Sequence, residues 1–192
     1  MRVCRTDVRR VFVDTSVLFP FSVMDLFLAL TETGLHQVLW TDELLAEWER
    51  VIVREHQRSA TSAASVTAAI REAFDDLRLD PRTYRHLVDT MPGPDADDHV
   101  HSAAAVAAKV DALVTNDSRG FPVEPLARLG VRVLDPDTYL GELYAQFPED
   151  VLNTIVELAR TKKRPPMRPL DILGAMQRAG LSRFPAAVRV VL

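Results

Sequence analysis

Four short apolar runs, Val11–Asp14, Gln37–Trp40, Ala112–Thr115 and Val131–Leu134, recur along the chain with helical stretches between them. This alternation constrains the fold more than any other feature. Runs of about four residues, apolar with little interruption, suit strands buried on both faces. The segments between them, Val23–Thr33, Asp42–His56, a Ser/Ala-rich stretch around Thr61–Leu79, Asp98–Lys109 and Pro122–Leu129, read as helices. Pro136–Tyr144 reads as the last helix of the unit. Strands alternating with helices predict an α/β fold, a parallel sheet covered by helices on both faces. That unit is expected over residues 1–141. After Phe147-Pro148 the pattern changes: Glu149–Lys163 and Pro169–Ala179 read as two helices, with a short third piece after Gly180. Residues 142–192 are expected to form a small helical appendage.

The net charge of −4 is unevenly placed. Residues 151–192 carry Arg160, Lys162, Lys163, Arg164, Arg168, Arg178, Arg183 and Arg189 against Glu157 and Asp171, a net +6, which leaves −10 on the first 150 residues. A basic tail on an acidic body suggests that Arg160, Lys162, Lys163, Arg164 and Arg168 grip a phosphate backbone; a solvated face that offsets the body's charge is the plainer alternative. A single cysteine, Cys4, excludes an intramolecular disulfide. The most apolar window, Val17–Leu30, contains Pro20, Ser22 and Asp25 and is too short to span a bilayer. A cytoplasmic protein without membrane contact is expected.

The carboxylates carry the functional argument. In a parallel α/β sheet, sites form beyond the carboxyl ends of the strands. Asp14 ends the first strand and Asp117 follows the third by two residues, in ALVTND. Glu47 falls at the border of the apolar stripe made by Leu44, Leu45, Trp48, Val51 and Ile52, where it can lean over the sheet edge or simply snorkel. Asp95, Asp97 and Asp98 open the Ala-rich helix; one suffices as a cap, and three exceed that need. Four acids brought to one edge by separate elements repel unless a cation compensates them. An all-oxygen set suits Mg2+ or Mn2+, which activates water for attack on a phosphoryl group. Ser16 and Thr115 are short hydroxyls able to orient a ligand. His99 and His101 point about 200° apart on a helix. His101 then reads as a packing or surface residue, and His99 as at most an outer group of the site.

The segments VFVDTSVL, TDELLAEWERVI, DADDHVHSAAAVAAKVDALVTND with RGFP after it, and VRVLDPDTYL resemble the PIN-domain nucleases, above all the VapC-like toxins of bacterial toxin–antitoxin pairs. The resemblance covers roughly residues 11–140. It implies a PIN-like fold and places the family's four acids on Asp14, Glu47, Asp98 and Asp117. Ser16 falls in the small polar slot and Thr115 in the T-x-D motif, with Asp95 as an outer ligand. It further implies Mg2+- or Mn2+-dependent endoribonuclease activity on RNA, an antitoxin partner and a homodimer. A stripe such as Val66, Ala69, Ile70, Phe74 and Leu77 at helical spacing is more often core than interface, but the resemblance implies dimer and antitoxin contacts for these helices, so the segment is expected to serve assembly. Two rivals remain. A haloacid-dehalogenase-like phosphatase needs a second acid where Ser16 stands. A non-catalytic metal- or partner-binding module would bind without turnover.

Overall fold

The computed structural model describes residues 8–191. Four strands form one sheet: β1 Arg9–Val13, β2 His36–Leu39, β3 Ala112–Val114 and β4 Arg132–Leu134, in the order β2-β1-β3-β4. β1 pairs with β3 in parallel, with Val11 opposite Ala112, Phe12 opposite Leu113 and Val13 opposite Val114. Each of these six residues is at most 2% exposed, as uninterrupted apolar strands require. The α/β fold expected from the alternation is the one observed.

The described residues divide into two compact units. One holds residues 10–19 and 38–133. Its helices are α1 Thr15–Leu18, α3 Asp42–Arg54, α4 Ala60–Ala73, α5 Pro81–Tyr84, α6 Ala96–Ala107 and α7 Val123–Arg128. The other holds Arg9, residues 20–37 and the described residues from 134 onward. Its helices are α2 Phe21–Glu32, α8 Pro136–Gln146, α9 Pro148–Thr161, α10 Pro169–Arg178 and α11 Arg183–Arg189.

Three local differences from the sequence reading have physical causes. α1 is a single turn that the apolar pattern did not reveal, because four residues are too few to show a period. The stretch around Thr61–Leu79 is broken: α4 ends at Ala73 and a 3-10 turn covers Asp75–Leu77. The Phe74 carbonyl accepts both from the Trp40 indole at 2.8 Å and from the Leu77 amide of the 3-10 turn at 3.0 Å, and two acids follow at the negative end of the helix dipole, where they disfavour continuing the helix. Of the stripe expected to serve assembly, Ile70, Phe74 and Leu77 are buried in the chain's own core, while Val66 is half-buried and Ala69 exposed. Pro81–Tyr84 and a 3-10 segment over Arg85–Thr90 were also not foreseen.

In the second-described unit, α2 packs against α9 and α10, and α11 packs against α8 and α10. The C-terminal helices therefore share a core with a helix from the first thirty residues. Lys162, just past α9, pairs with Asp25 of α2 at 2.5 Å. α11 has no side-chain cap of its own. Its first amides are met instead by Asp137 of α8: Oδ2 accepts from Ser182 N at 3.0 Å and Arg183 N at 2.7 Å, and Oδ1 from Phe184 N at 2.7 Å. Burial would raise this carboxyl's pKa, but the three amides outweigh it and hold it below the ordinary range. Asp137→Ala strips the helix start of its acceptors and should destabilise this unit by on the order of 3 kcal/mol. Urea unfolding checks this, and early proteolysis within residues 182–191 should accompany it.

Candidate functional site

β1 runs straight into α1, so the acid that ends the strand becomes the helix N-cap. Asp14 is 4% exposed with extended backbone. Its Oδ2 accepts from the Ser16 amide at 3.3 Å, the Ser16 hydroxyl at 2.5 Å and the Thr115 hydroxyl at 2.9 Å. An enclosed carboxylate needs such donors. β3 delivers its own loop to the same edge. The Asn116 amide donates to Ser16 Oγ at 3.1 Å, and its side-chain Nδ2 to the Ser16 carbonyl at 3.3 Å. The Asp117 amide donates to Thr115 Oγ1 at 2.9 Å. The two strand ends are thus stitched together through short hydroxyls.

Glu47 comes from α3. The next residue, Trp48, is fully buried and donates its indole N–H to the Leu18 carbonyl at 3.0 Å, which ties α3 to α1. Glu47 Oε2 accepts a 2.7 Å hydrogen bond from His101 Nε2. That bond is the main reason its carboxyl lies below the usual range, and burial acts against it. This corrects the reading of His101. The residue is buried, as packing requires, but it also holds a site acid. A helical wheel gives the face of a residue and not what a neighbouring helix offers it. His99 instead anchors a loop, with Nε2 3.0 Å from the Gly93 carbonyl.

Asp98 lies in the first turn of α6, which begins at Ala96 and is capped by Asp95 through the Asp97 amide at 3.0 Å. Its carboxyl is pushed up to about 6, first by burial and then by the negative charges of Asp14, Asp95 and Asp117. Asp117 Oδ1 accepts from the amides of Arg119 at 2.9 Å and Gly120 at 3.1 Å. Gly120 is a site residue that the sequence reading passed over within RGFP. A Cβ there would lie 2.0 Å from Asp98 Oδ2 and 3.1 Å from Asp117 Oδ2, so only glycine leaves both carboxylates where they are. Gly93, at φ +137°, brings its loop against the same segment: a Cβ on it would meet the Gly120 carbonyl at 2.7 Å.

Asp14, Ser16, Glu47, Asp98 and Asp117 line one open cleft of about 440 Å³. Phe19, Val51 and Phe121 form its apolar wall, and Arg54, paired with Glu55 at 3.0 Å, also lines it. Thr115 braces Asp14 from beneath, and Asp95 stays at the helix cap. Among the described residues, no group of three or more His, Cys, Asp or Glu side chains is arranged to hold a metal ion. The four acids share a cleft without closing on one point.

The basic residues of the tail belong to the other unit. Arg160 pairs with Glu157, Lys162 with Asp25, and Arg168 with Asp171 at 3.1 Å. Lys163 and Arg164 form no ion pair among the described residues. No helix of the described residues is long and apolar enough to cross a membrane.

Comparison with known proteins gives two family matches. A PIN domain covers residues 10–119, more than half of the chain, and a VapC50 C-terminal domain covers residues 136–190. No curated protein and no solved structure matches the chain. The first match contains every carboxylate of the cleft, and the second contains α8 through α11 in full. The chain therefore belongs to the PIN-domain family, as a VapC-like nuclease with a C-terminal extension.

Proposed function

We propose that the cleft is the catalytic site of a Mg2+- or Mn2+-dependent endoribonuclease, the toxin of a VapBC-type pair whose antitoxin is its protein partner. The observation that carries this reading is four carboxylates from four separate elements lining one cleft, with Asp98 pushed up to about 6 by burial and its neighbours. So much negative charge in one cleft is incomplete without a cation. The donors are all oxygen, which fits a hard divalent ion. Asp14, Glu47, Asp98 and Asp117 would hold it. When bound, such an ion supplies an activated water and offsets charge on the phosphodiester.

The chain's own residues do the rest. Ser16 and Thr115 fix the Asp14 carboxylate, and Gly120 leaves room for Asp98. In the tail, Lys163 and Arg164 are the cations left for phosphate contacts, since Arg160, Lys162 and Arg168 already have carboxylate partners.

The test is RNA cleavage with Mn2+, with EDTA, and with EDTA followed by excess Mn2+. Activity should vanish with chelator and return with the ion. Cleavage that persists in EDTA, and persists in Asp14→Asn as well, would overturn the reading.

Gly120→Ala separates the site from the fold. The Cβ strikes the whole Asp98 carboxylate, Oδ2 at 2.0 Å and Cγ at 2.9 Å, so that side chain must rotate away, at a stability cost on the order of 1 kcal/mol. Cleavage should nevertheless fall by about tenfold or more, because the carboxylate is displaced from its working position. Thermal unfolding and initial rates on the same preparation check both halves.

A further inference from the structure

We infer that His101 is the positioning residue of Glu47, holding its carboxylate at the cleft so that it can serve a divalent cation. The inference rests on the reading of the acids as a cation site. Three observations support it. Asp98 and His101 are three residues apart on α6, so one helix face presents both a site acid and the imidazole that holds another. His101 is 1% exposed and packs on Phe12 of β1 with ring centres 5.8 Å apart, which fixes the ring two residues before Asp14 in the strand below. Its Nε2 is 2.7 Å from Glu47 Oε2, and a carboxylate can only accept, so Nε2 carries the proton.

The other nitrogen argues that this histidine is not there for stability. Nδ1 is buried with no hydrogen-bond partner among the described residues. A leucine would fill the same space without an orphaned polar atom, in a helix whose next residues include Ala103, Ala104 and Ala105. The fold tolerates a buried imidazole because Glu47 needs a donor. Carboxylate ligands are themselves held by hydrogen bonds, and losing such a partner lowers metal affinity 10–100-fold.

The experiment measures Mn2+ binding to the full chain by electron paramagnetic resonance, without RNA, for wild type, His101→Leu, His101→Gln and Glu47→Gln. His101→Leu should bind Mn2+ at least about tenfold more weakly while its melting temperature in metal-free buffer stays equal to or above that of wild type. His101→Gln, which keeps an N–H near the position of Nε2, should restore most of the affinity. Adding His101→Leu to Glu47→Gln should bring no further loss, because the histidine acts through that carboxylate. In cleavage assays kcat should fall and KM for RNA should hold. Unchanged Mn2+ affinity in a folded His101→Leu protein would overturn the inference. A His101→Leu chain that fails to fold would overturn it too, by making the histidine a structural requirement. Absence of Mn2+ binding by wild type would sink the cation reading, and this inference with it.

Discussion

Asp98→Asn should abolish RNA cleavage and, in metal-free buffer at pH 8, make the protein more stable. If Asp98 holds the cation as proposed, the activity loss should exceed the roughly 10–100-fold expected for an outer partner of a metal ligand. The stability gain follows from charge. In the folded chain Asp98 titrates at about 6, against 3.8 for a free side chain, because burial and then Asp14, Asp95 and Asp117 disfavour its ionised form. Above about pH 6 the ionised group therefore destabilises the fold, and the penalty fades as pH falls from about 6 to 3.8. With screening of a half-exposed group allowed for, the gain is on the order of 1 kcal/mol. Denaturant unfolding at pH 8 and pH 4 checks it: the variant should lead at pH 8 and draw level at pH 4. Asp14→Asn should also be inactive, and the double variant little worse than either, because the acids act as a unit. Equal stability at both pH values would show that the cleft's negative charge is already compensated.

His36 should make the fold acid-sensitive in the opposite direction. It is fully buried in the unit that carries the C-terminal helices, in a three-ring cluster with Phe27 and Tyr139 whose ring centres lie 5.6 and 5.7 Å from its own and 5.7 Å from each other. Nε2 donates to the Phe27 carbonyl at 2.8 Å, so Nδ1 must be the acceptor of the Tyr139 hydroxyl, also at 2.8 Å. Burial lowers its pKa from 6.5 to about 4, with the Phe27 carbonyl opposing and Arg9 adding to the drop. The unfolded chain binds a proton below 6.5 and the folded chain does not until about 4. Stability from this group is present above pH 6.5 and is lost as pH falls toward 4, by on the order of 3 kcal/mol. Asp98 works the other way over part of this window, so the effect is read as a difference between variants. The pH slope of unfolding free energy between 6.5 and 4 should flatten in His36→Gln. An identical slope in both proteins would place the acid sensitivity elsewhere.

Much of this protein was legible before its structure. The four strands lie within one or two residues of their expected places, because an apolar run bounded by turns has few other fates in water. The four carboxylates that line the cleft are those read from the strand ends, from the border of one helix and from the start of another. Local pattern sufficed there: a residue at the carboxyl end of a buried strand is delivered to the sheet edge whatever else the chain does. Two helices after Phe147, α9 and α10, were also expected, whereas α11 was read only as a short third piece.

Relations between elements were decided only in three dimensions. A wheel put His101 on a buried face, but its bond to Glu47 depends on α3 lying alongside, 54 residues away in sequence. Gly120 reads as a turn residue until the Asp98 carboxylate is found 2.0 Å from where its Cβ would stand. The stripe of Ile70, Phe74 and Leu77 has the same pattern whether it meets a partner chain or the chain's own core, and here it meets the core. Asp137 looks like a second cap for its own helix, yet it caps a helix that starts 46 residues later. Lys162 reads as a free cation until Asp25 of α2 is beside it. The sequence by itself determined the strands, the longer helices and the four candidate acids, because backbone periodicity and burial are local. Which side chain holds which acid, and which cations already have a carboxylate partner, only the tertiary structure decided, because those pairs join atoms that the chain brings together from far apart.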